Sequence, residues 1–151
     1  PEGIAREVVD AIREAEMQEA SVVISFKDQA VAAVKALDAD IPCALVVGGK
    51  LAGTVAERAE TLAGRATACG AEVLELNYTL LSPALVEELK RRGFRVWCWT
   101  VNEKPVMDAL RRWGVEAITT DRPDLFGKAL LVDLHLEQVD VEVPRLSGLE
   151  E

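Results

Sequence analysis

Histidine is almost missing from this sequence: His135 is the only one among 151 residues. Histidine is the one side chain whose unperturbed titration falls near neutral pH. General acid/base chemistry therefore has a single obvious candidate, and it stands close to the C-terminus. Cysteine is scarce as well. Cys43, Cys69 and Cys98 show no CxxC spacing and have no histidine companions, which speaks against a zinc site. They read as small apolar core residues in a reducing, cytoplasmic setting. Basic residues are outnumbered, 17 Lys and Arg against 26 Asp and Glu, for a net charge of −9. Nucleic-acid binding needs Lys and Arg to replace the counterions around phosphates, so no nucleic-acid partner is expected. An anionic membrane surface is disfavoured for the same reason. The excess acid reads as a solvated surface that aids solubility. No apolar run approaches the ~20 residues of a membrane span, and no secretory signal stands at the start. The chain begins with Pro1 rather than methionine, and so reads as cut from something longer.

Apolar residues are plentiful, at 50% of the chain, and the length suits one domain. An opening amphipathic helix is marked by Ile4, Val8, Ala11, Ile12 and Ala15, with Arg6, Glu7, Asp10 and Arg13 outside. Residues 22–26 form a short continuous apolar run, the pattern of a parallel strand buried on both faces. Asp28 is placed to cap a helix through Val31, Val34 and Leu37. A second strand at 43–47 is broken by Gly48-Gly49. Thr54 and Glu57 match a capping box, in which each side chain satisfies the other residue's free N–H, and that helix runs to Cys69 with Gly70 as stop. A third strand spans 71–77. Ser82-Pro83 opens the next helix as N-cap and first-turn proline, with Leu85, Val86 and Leu89 inward.

Residues 95–101 are β-branched and aromatic, as a half-buried strand requires. Asn102 is placed as N-cap of a helix whose apolar face is Val106, Ala109, Leu110 and Trp113. Gly114 suits a left-handed stop. Residues 115–120 form the last strand of the series, and Asp121 with Pro123 starts a further helix over 124–133. The strand centres, Ile24, Leu45, Leu74, Cys98 and Ile118, mark five successive βα units. That alternation predicts a parallel sheet with helices outside. Residues 134–143 alternate apolar and polar, the pattern of an edge strand.

Gly48-Gly49-Lys50-Leu51-Ala52-Gly53-Thr54 lies between a strand and a helix and invites comparison with a phosphate-binding loop. Thr54 follows Gly53 where that motif needs lysine, so a capped βα loop is the better reading. Glu75 and Asn77 are the polar pair of the third strand that points to one face near a strand end. They are weak metal-ligand candidates, because an ion needs converging oxygens.

Trp99-Thr100-Val101-Asn102 and Thr119-Thr120-Asp121-Arg122-Pro123, with Gly114-Val115 between them, together resemble the end of the glycerophosphodiester phosphodiesterase family. The resemblance covers about residues 1–130. It implies a TIM-type (β/α)8 barrel and metal-dependent hydrolysis of glycerophosphodiesters to an alcohol and glycerol phosphate, part of lipid metabolism. A complete barrel of that kind takes about 200–250 residues, so the chain reads as a fragment: a partial barrel of about five units over 1–132, followed by an extension over 133–151. The resemblance also places Trp99 beside the substrate glycerol and Ser25-Phe26 at the active-site mouth, with Lys27 where the family often has an acid. Ser25, Phe26 and Trp99 are thus the expected substrate-binding residues. Each has a plainer reading too: Ser25 caps a helix, Phe26 packs, Trp99 is core. Trp97, two residues back on the same face, reads as core. Thr120 and Asp121 are either a site edge or, for Asp121, a helix cap.

The family's His-Arg and His-Asp motifs, its Glu-x-Asp pair and its further Glu do not occur here. No catalytic residue and no metal ligand is expected from this chain alone; Mg2+ or Ca2+ is implied only for the complete barrel. The isolated chain should therefore be inactive, and its substrate should bind only once the missing segment completes the barrel. The alternative is a non-catalytic truncated barrel that acts as an assembly or binding module. A third possibility, a Rossmann-like nucleotide binder, lacks its glycine fingerprint. Five strands of a barrel leave two open edges, which predicts a homo-oligomer, a dimer first of all.

Overall fold

The computed structural model describes residues 2–126. Five helices alternate with five strands: α1 Glu2–Glu14, β1 Val23–Ser25, α2 Asp28–Leu37, β2 Cys43–Val47, α3 Val55–Cys69, β3 Val73–Asn77, α4 Pro83–Arg91, β4 Arg95–Trp99, α5 Lys104–Arg112 and β5 Ala117–Ile118. Short 3-10 turns, Tyr78–Leu80 and Pro123–Leu125, follow β3 and β5. All strand pairings are parallel, and the order is β1-β2-β3-β4-β5. A parallel sheet in strict sequence order, each strand reached through a helix, is the arrangement of a (β/α) barrel wall. Of the expected helix over 124–133, the start is the 3-10 turn Pro123–Leu125; its residues 127–133, the strand over 134–143 and His135 lie outside the described residues.

Side chains alternate across a strand, and the register shows which side does what. Cys43, Leu45 and Val47, Leu74 and Leu76, Val96 and Cys98 turn to the helices and join one buried core with Val31, Leu62, Leu85, Leu89, Met107 and Leu110. The opposite face, which a closed barrel would turn into its lumen, carries Ile24, Ala44, Val73 and Arg95 in one set of pairings and Val46, Glu75 and Trp97 in the next.

The helix ends follow local chemistry. Thr54 accepts from the Glu57 N–H at 3.3 Å while Glu57 accepts from the Thr54 N–H at 2.8 Å, the expected capping box. Ser82 accepts from the Leu85 N–H at 3.2 Å ahead of Pro83. Gly114, at φ +89°, takes the left-handed conformation that ends α5.

Four expectations need correction. On α1 the predicted Ile12 packs against the core, but the buried residues beside it are Ala5 and Val9, one position on from the predicted Ile4 and Val8; Ile4 is 70% exposed. The helix docks chiefly against α2, and a narrow stripe is covered. β1 is three residues long and is not buried on both faces. Ile24 and Phe26 are 55% and 62% exposed, because they stand on the uncovered face of an edge strand. Asp28 does not cap α2: Lys27 holds that position with no side-chain bond, and Asp28 pairs with Arg65 of α3 instead. Asn102 does not cap α5 either. Glu103 stands at the cap without a side-chain bond, and Asn102 is engaged elsewhere.

Candidate active-site mouth

The carboxyl ends of the strands are where barrel chemistry is built, and here that end is organised by one indole. Trp99 is the last residue of β4. Its Nε1 donates to the Glu75 carbonyl of β3 at 3.2 Å. Beyond β3 the ring passes close over Gly48, just after β2. It ends edge-on against Phe26, just after β1, with ring centroids 5.4 Å apart and planes at 86°. Edge-to-face contact at that separation is favourable for aromatic pairs. The ring thus crosses the mouth from the fourth strand to the first, and the aromatic corner is half exposed.

Of the three expected substrate residues, the structure brings Phe26 and Trp99 together. Ser25 does not join them. It alternates with Ile24 and Phe26 and so turns to the helix side, where its Oγ accepts from the Lys27 N–H at 3.1 Å and shapes the turn into α2.

Beneath the indole lies Glu75, only 4% exposed. Its Oε1 accepts from the Thr119 hydroxyl at 2.9 Å, while Oε2 is buried with no partner. Trp97, its register neighbour, has its Nε1 buried without a partner as well. Trp97 is half-buried rather than full core, with the Arg95 guanidinium 5.4 Å from its ring centroid; Arg95 also donates to Glu116 at 2.8 Å. Asn77 shares the face of Glu75, but its Oδ1 accepts from the Thr79 N–H and hydroxyl, at 3.0 and 2.8 Å, and shapes the 3-10 turn.

A second network ties the last two strand ends. The Asn102 carbonyl oxygen accepts from the Asp121 N–H at 2.9 Å and from the Thr120 hydroxyl at 3.1 Å, and its amide donates to Asp121 Oδ2 at 2.9 Å. Asp121 is therefore not a helix cap; Arg122 precedes the short 3-10 turn. Residue spacing alone gives no sign of this lock, since both residues are also good caps.

Burial disfavours the thiolate, the nucleophilic form, at all three cysteines. Burial pushes the Cys98 thiol up to about 12, helped by the nearby Glu75 charge, and the Cys43 thiol up to about 11. A divalent ion needs several converging oxygens. Among the described residues no three His, Cys, Asp or Glu side chains converge, and Glu75 is the one carboxylate on the described strands. The described residues by themselves do not fit the ion. None of the described helices is long and apolar enough to cross a membrane. A groove of about 530 Å3 follows β5, lined by Val115, Ala117, Ile118 and Phe126 among others. It lies along the β5 edge of the sheet, which has no further strand among the described residues.

Comparison with known proteins agrees with this geometry. The glycerophosphoryl diester phosphodiesterase family matches residues 2–125. A glycerophosphodiester phosphodiesterase of Arabidopsis thaliana is 34% identical over 68 residues, 45% of this chain and 20% of its own. The Bacillus subtilis protein YhdW is 25% identical over 126 residues, 83% of this chain and 50% of its own. A solved phosphodiesterase from Oleispira antarctica, in complex with the product sn-glycerol-3-phosphate, superposes with a TM-score of 0.63 at 21% identity, over 82% of this chain and 49% of that one. The chain thus spans half or less of the length of these relatives, and its five units are a partial barrel. With an ordered parallel sheet, an aromatic corner at the strand ends and a family match over nearly all described residues, the chain belongs to the glycerophosphoryl diester phosphodiesterase family.

Proposed function

We propose that this chain supplies five βα units, and with them the glycerol-side wall, of a metal-dependent enzyme. That enzyme hydrolyses a glycerophosphodiester to an alcohol and glycerol phosphate, in a reducing, cytoplasmic setting. The observation that carries this reading is the Phe26–Trp99 corner. It offers an apolar surface for the carbon chain of glycerol at the end of the sheet where barrels bind their substrates. The reaction needs water to attack phosphorus, the bond to the leaving alcohol to break and a proton to reach that alcohol. The described residues contribute the wall and no group suited to moving the proton. Mg2+ or Ca2+, as ligand of the completed barrel, would draw its oxygens from outside them. The three cysteines are free and buried, which supports the reducing setting.

Saturation-transfer NMR with millimolar sn-glycerol 3-phosphate tests this reading. Glycerol protons should take up saturation from the chain, and Trp99→Ala should abolish it. The isolated chain with Mg2+ or Ca2+ should release no glycerol phosphate from a glycerophosphodiester. Metal-dependent turnover by the chain alone would overturn the division of labour; absent saturation transfer would remove the wall.

The second reading is a binding or assembly module without catalysis. It is favoured by the exposed Ile24 of β1 and Phe26 just after it, and by the two sheet edges that have no partner strand among the described residues. Self-association through those edges belongs to either reading.

A further inference from the structure

We propose that Gly48 is a positioning residue for the substrate wall: the missing side chain at 48 is what lets the Trp99 indole lie across the mouth and meet Phe26. The inference rests on the wall reading above and names the residue that sets its geometry. A Cβ built on Gly48 would lie 3.0 Å from Trp99 Cζ2 and 3.2 Å from Cη2. Real carbon contacts are about 3.5–4.0 Å at their optimum, so the ring would have to move. It has little freedom to do so. Its near end is held by the Nε1 bond to the Glu75 carbonyl, and its far end abuts Phe26.

The reason for glycine here is steric and not conformational. Gly49, at φ +84°, needs the left-handed region; Gly48 is not among the positive-φ glycines. Its backbone accepts an L-residue, so substitution there tests the seat of the ring and not the turn. Any side chain at 48 lifts the indole off β2. The lifted ring is shifted from its edge contact with Phe26, so the two rings no longer form one wall.

The test uses the full chain labelled with 5-fluorotryptophan, whose three tryptophans give three 19F resonances; Trp99→Phe assigns the one of interest. Gly48→Ala and Gly48→Val should shift the Trp99 resonance in increasing order and leave those of Trp97 and Trp113 in place. Affinity for sn-glycerol 3-phosphate, read by saturation transfer, should fall by about fivefold or more, equivalent to about 1 kcal/mol. In a Trp99→Phe background, where the smaller ring does not reach residue 48, adding Gly48→Ala should change affinity no further. An unmoved Trp99 resonance in Gly48→Val overturns the proposal whatever the ligand does. A wild-type chain that gives no saturation transfer removes the wall reading instead, and a shifted resonance would then still place Gly48 as the seat. A shifted ring with unchanged affinity sinks the link between seat and ligand while leaving the wall intact.

Discussion

Asn102 and Asp121 hold one another through both ends of the asparagine amide: Nδ2 donates to the aspartate carboxylate and Oδ1 accepts from the aspartate N–H, each at 2.9 Å. The two residues belong to the two motifs that carry the family resemblance, and their bonding ties the two motifs together in space. They join the loop after β4 to the loop after β5, on top of the Val101 N–H to Thr119 carbonyl bond. Asn102→Ala should cost about 1–2 kcal/mol in urea unfolding, since each exposed bond contributes about 0.5–1.5 kcal/mol. Asn102→Asp should cost more, because it sets a second carboxylate against Asp121 and removes the donor. Unfolding midpoints unchanged in both variants would show that the lock is ornamental.

The sheet was legible because hydrophobic runs and turn residues repeat: the five predicted strand centres, from Ile24 to Ile118, all fall inside observed strands. The capping box at Thr54 was legible because both partners lie within one turn. What escaped was long-range. Asn102 and Asp28 have the chemistry of caps, yet each found a better partner from another element, Asp121 and Arg65. The exposure of Ile24 could not be read from its own apolar run, since it depends on what covers the other face. Phe26 and Trp99 were named on the motif, but their contact and the place of Gly48 beneath the ring needed three-dimensional placement. Ser25 was named with them, and strand alternation turns it the other way.

Acid should destabilise the chain below about pH 4, the ordinary range of carboxylates. The side-chain bonds from Arg65 hold the Asp28 carboxyl below its usual value of 3.8. Arg13 does the same for Asp38, Arg91 and Arg92 for Glu88, and the Thr54 backbone for Glu57. The sign follows from linkage: groups with depressed folded-state values bind fewer protons folded than unfolded. Their stabilisation is present above the unfolded value and is lost as pH falls through the folded one. Glu57 is exposed and the others are half-buried at the surface, so salt should shrink the effect. Arg65→Gln should flatten the pH dependence of the urea midpoint between pH 5 and 3, roughly the window of those carboxylates. A steeper dependence in that variant would contradict the assignment to the Asp28 pair.

Glu75 should show an asymmetry between its own removal and that of its partner. Thr119 is the one side chain that donates to it among the described residues, and Oε2 has nothing. Thr119→Val leaves the buried carboxylate without any donor, which should cost about 1–3 kcal/mol. Glu75→Met removes the carboxylate together with its unmet need and fills similar volume, so it should be close to neutral or stabilising. Thermal or urea unfolding of the two variants and the double mutant decides this. If Glu75→Met is the more damaging substitution, some donor outside the described residues satisfies Oε2 in the folded chain.

The last expectation concerns association. Among the described residues, β1 and β5 each have one neighbour in the sheet. Their free N–H and C=O groups can template another chain. No proline or lysine lies within Val23–Ser25 or Ala117–Ile118 to blunt them. On the β1 side, Ile24 and Phe26 add exposed apolar surface; on the β5 side the groove adds Ile118 and Phe126. Apolar surface gathered at one edge marks an interaction site rather than ordinary exposure. The net charge of −9 opposes self-association, but repulsion between exposed charges is screened beyond about 8–10 Å at physiological salt. Two-fold pairing is the commonest closed solution. Sedimentation equilibrium at micromolar concentration should therefore give a mass above that of one chain, rising with protein concentration and with salt. Ile24→Lys puts a charge on the open face of β1 and should return the chain to monomer without unfolding it, since residue 24 is already half exposed. A wild-type chain that stays a folded monomer across that range, at low and high salt alike, would mean that its edges are already covered.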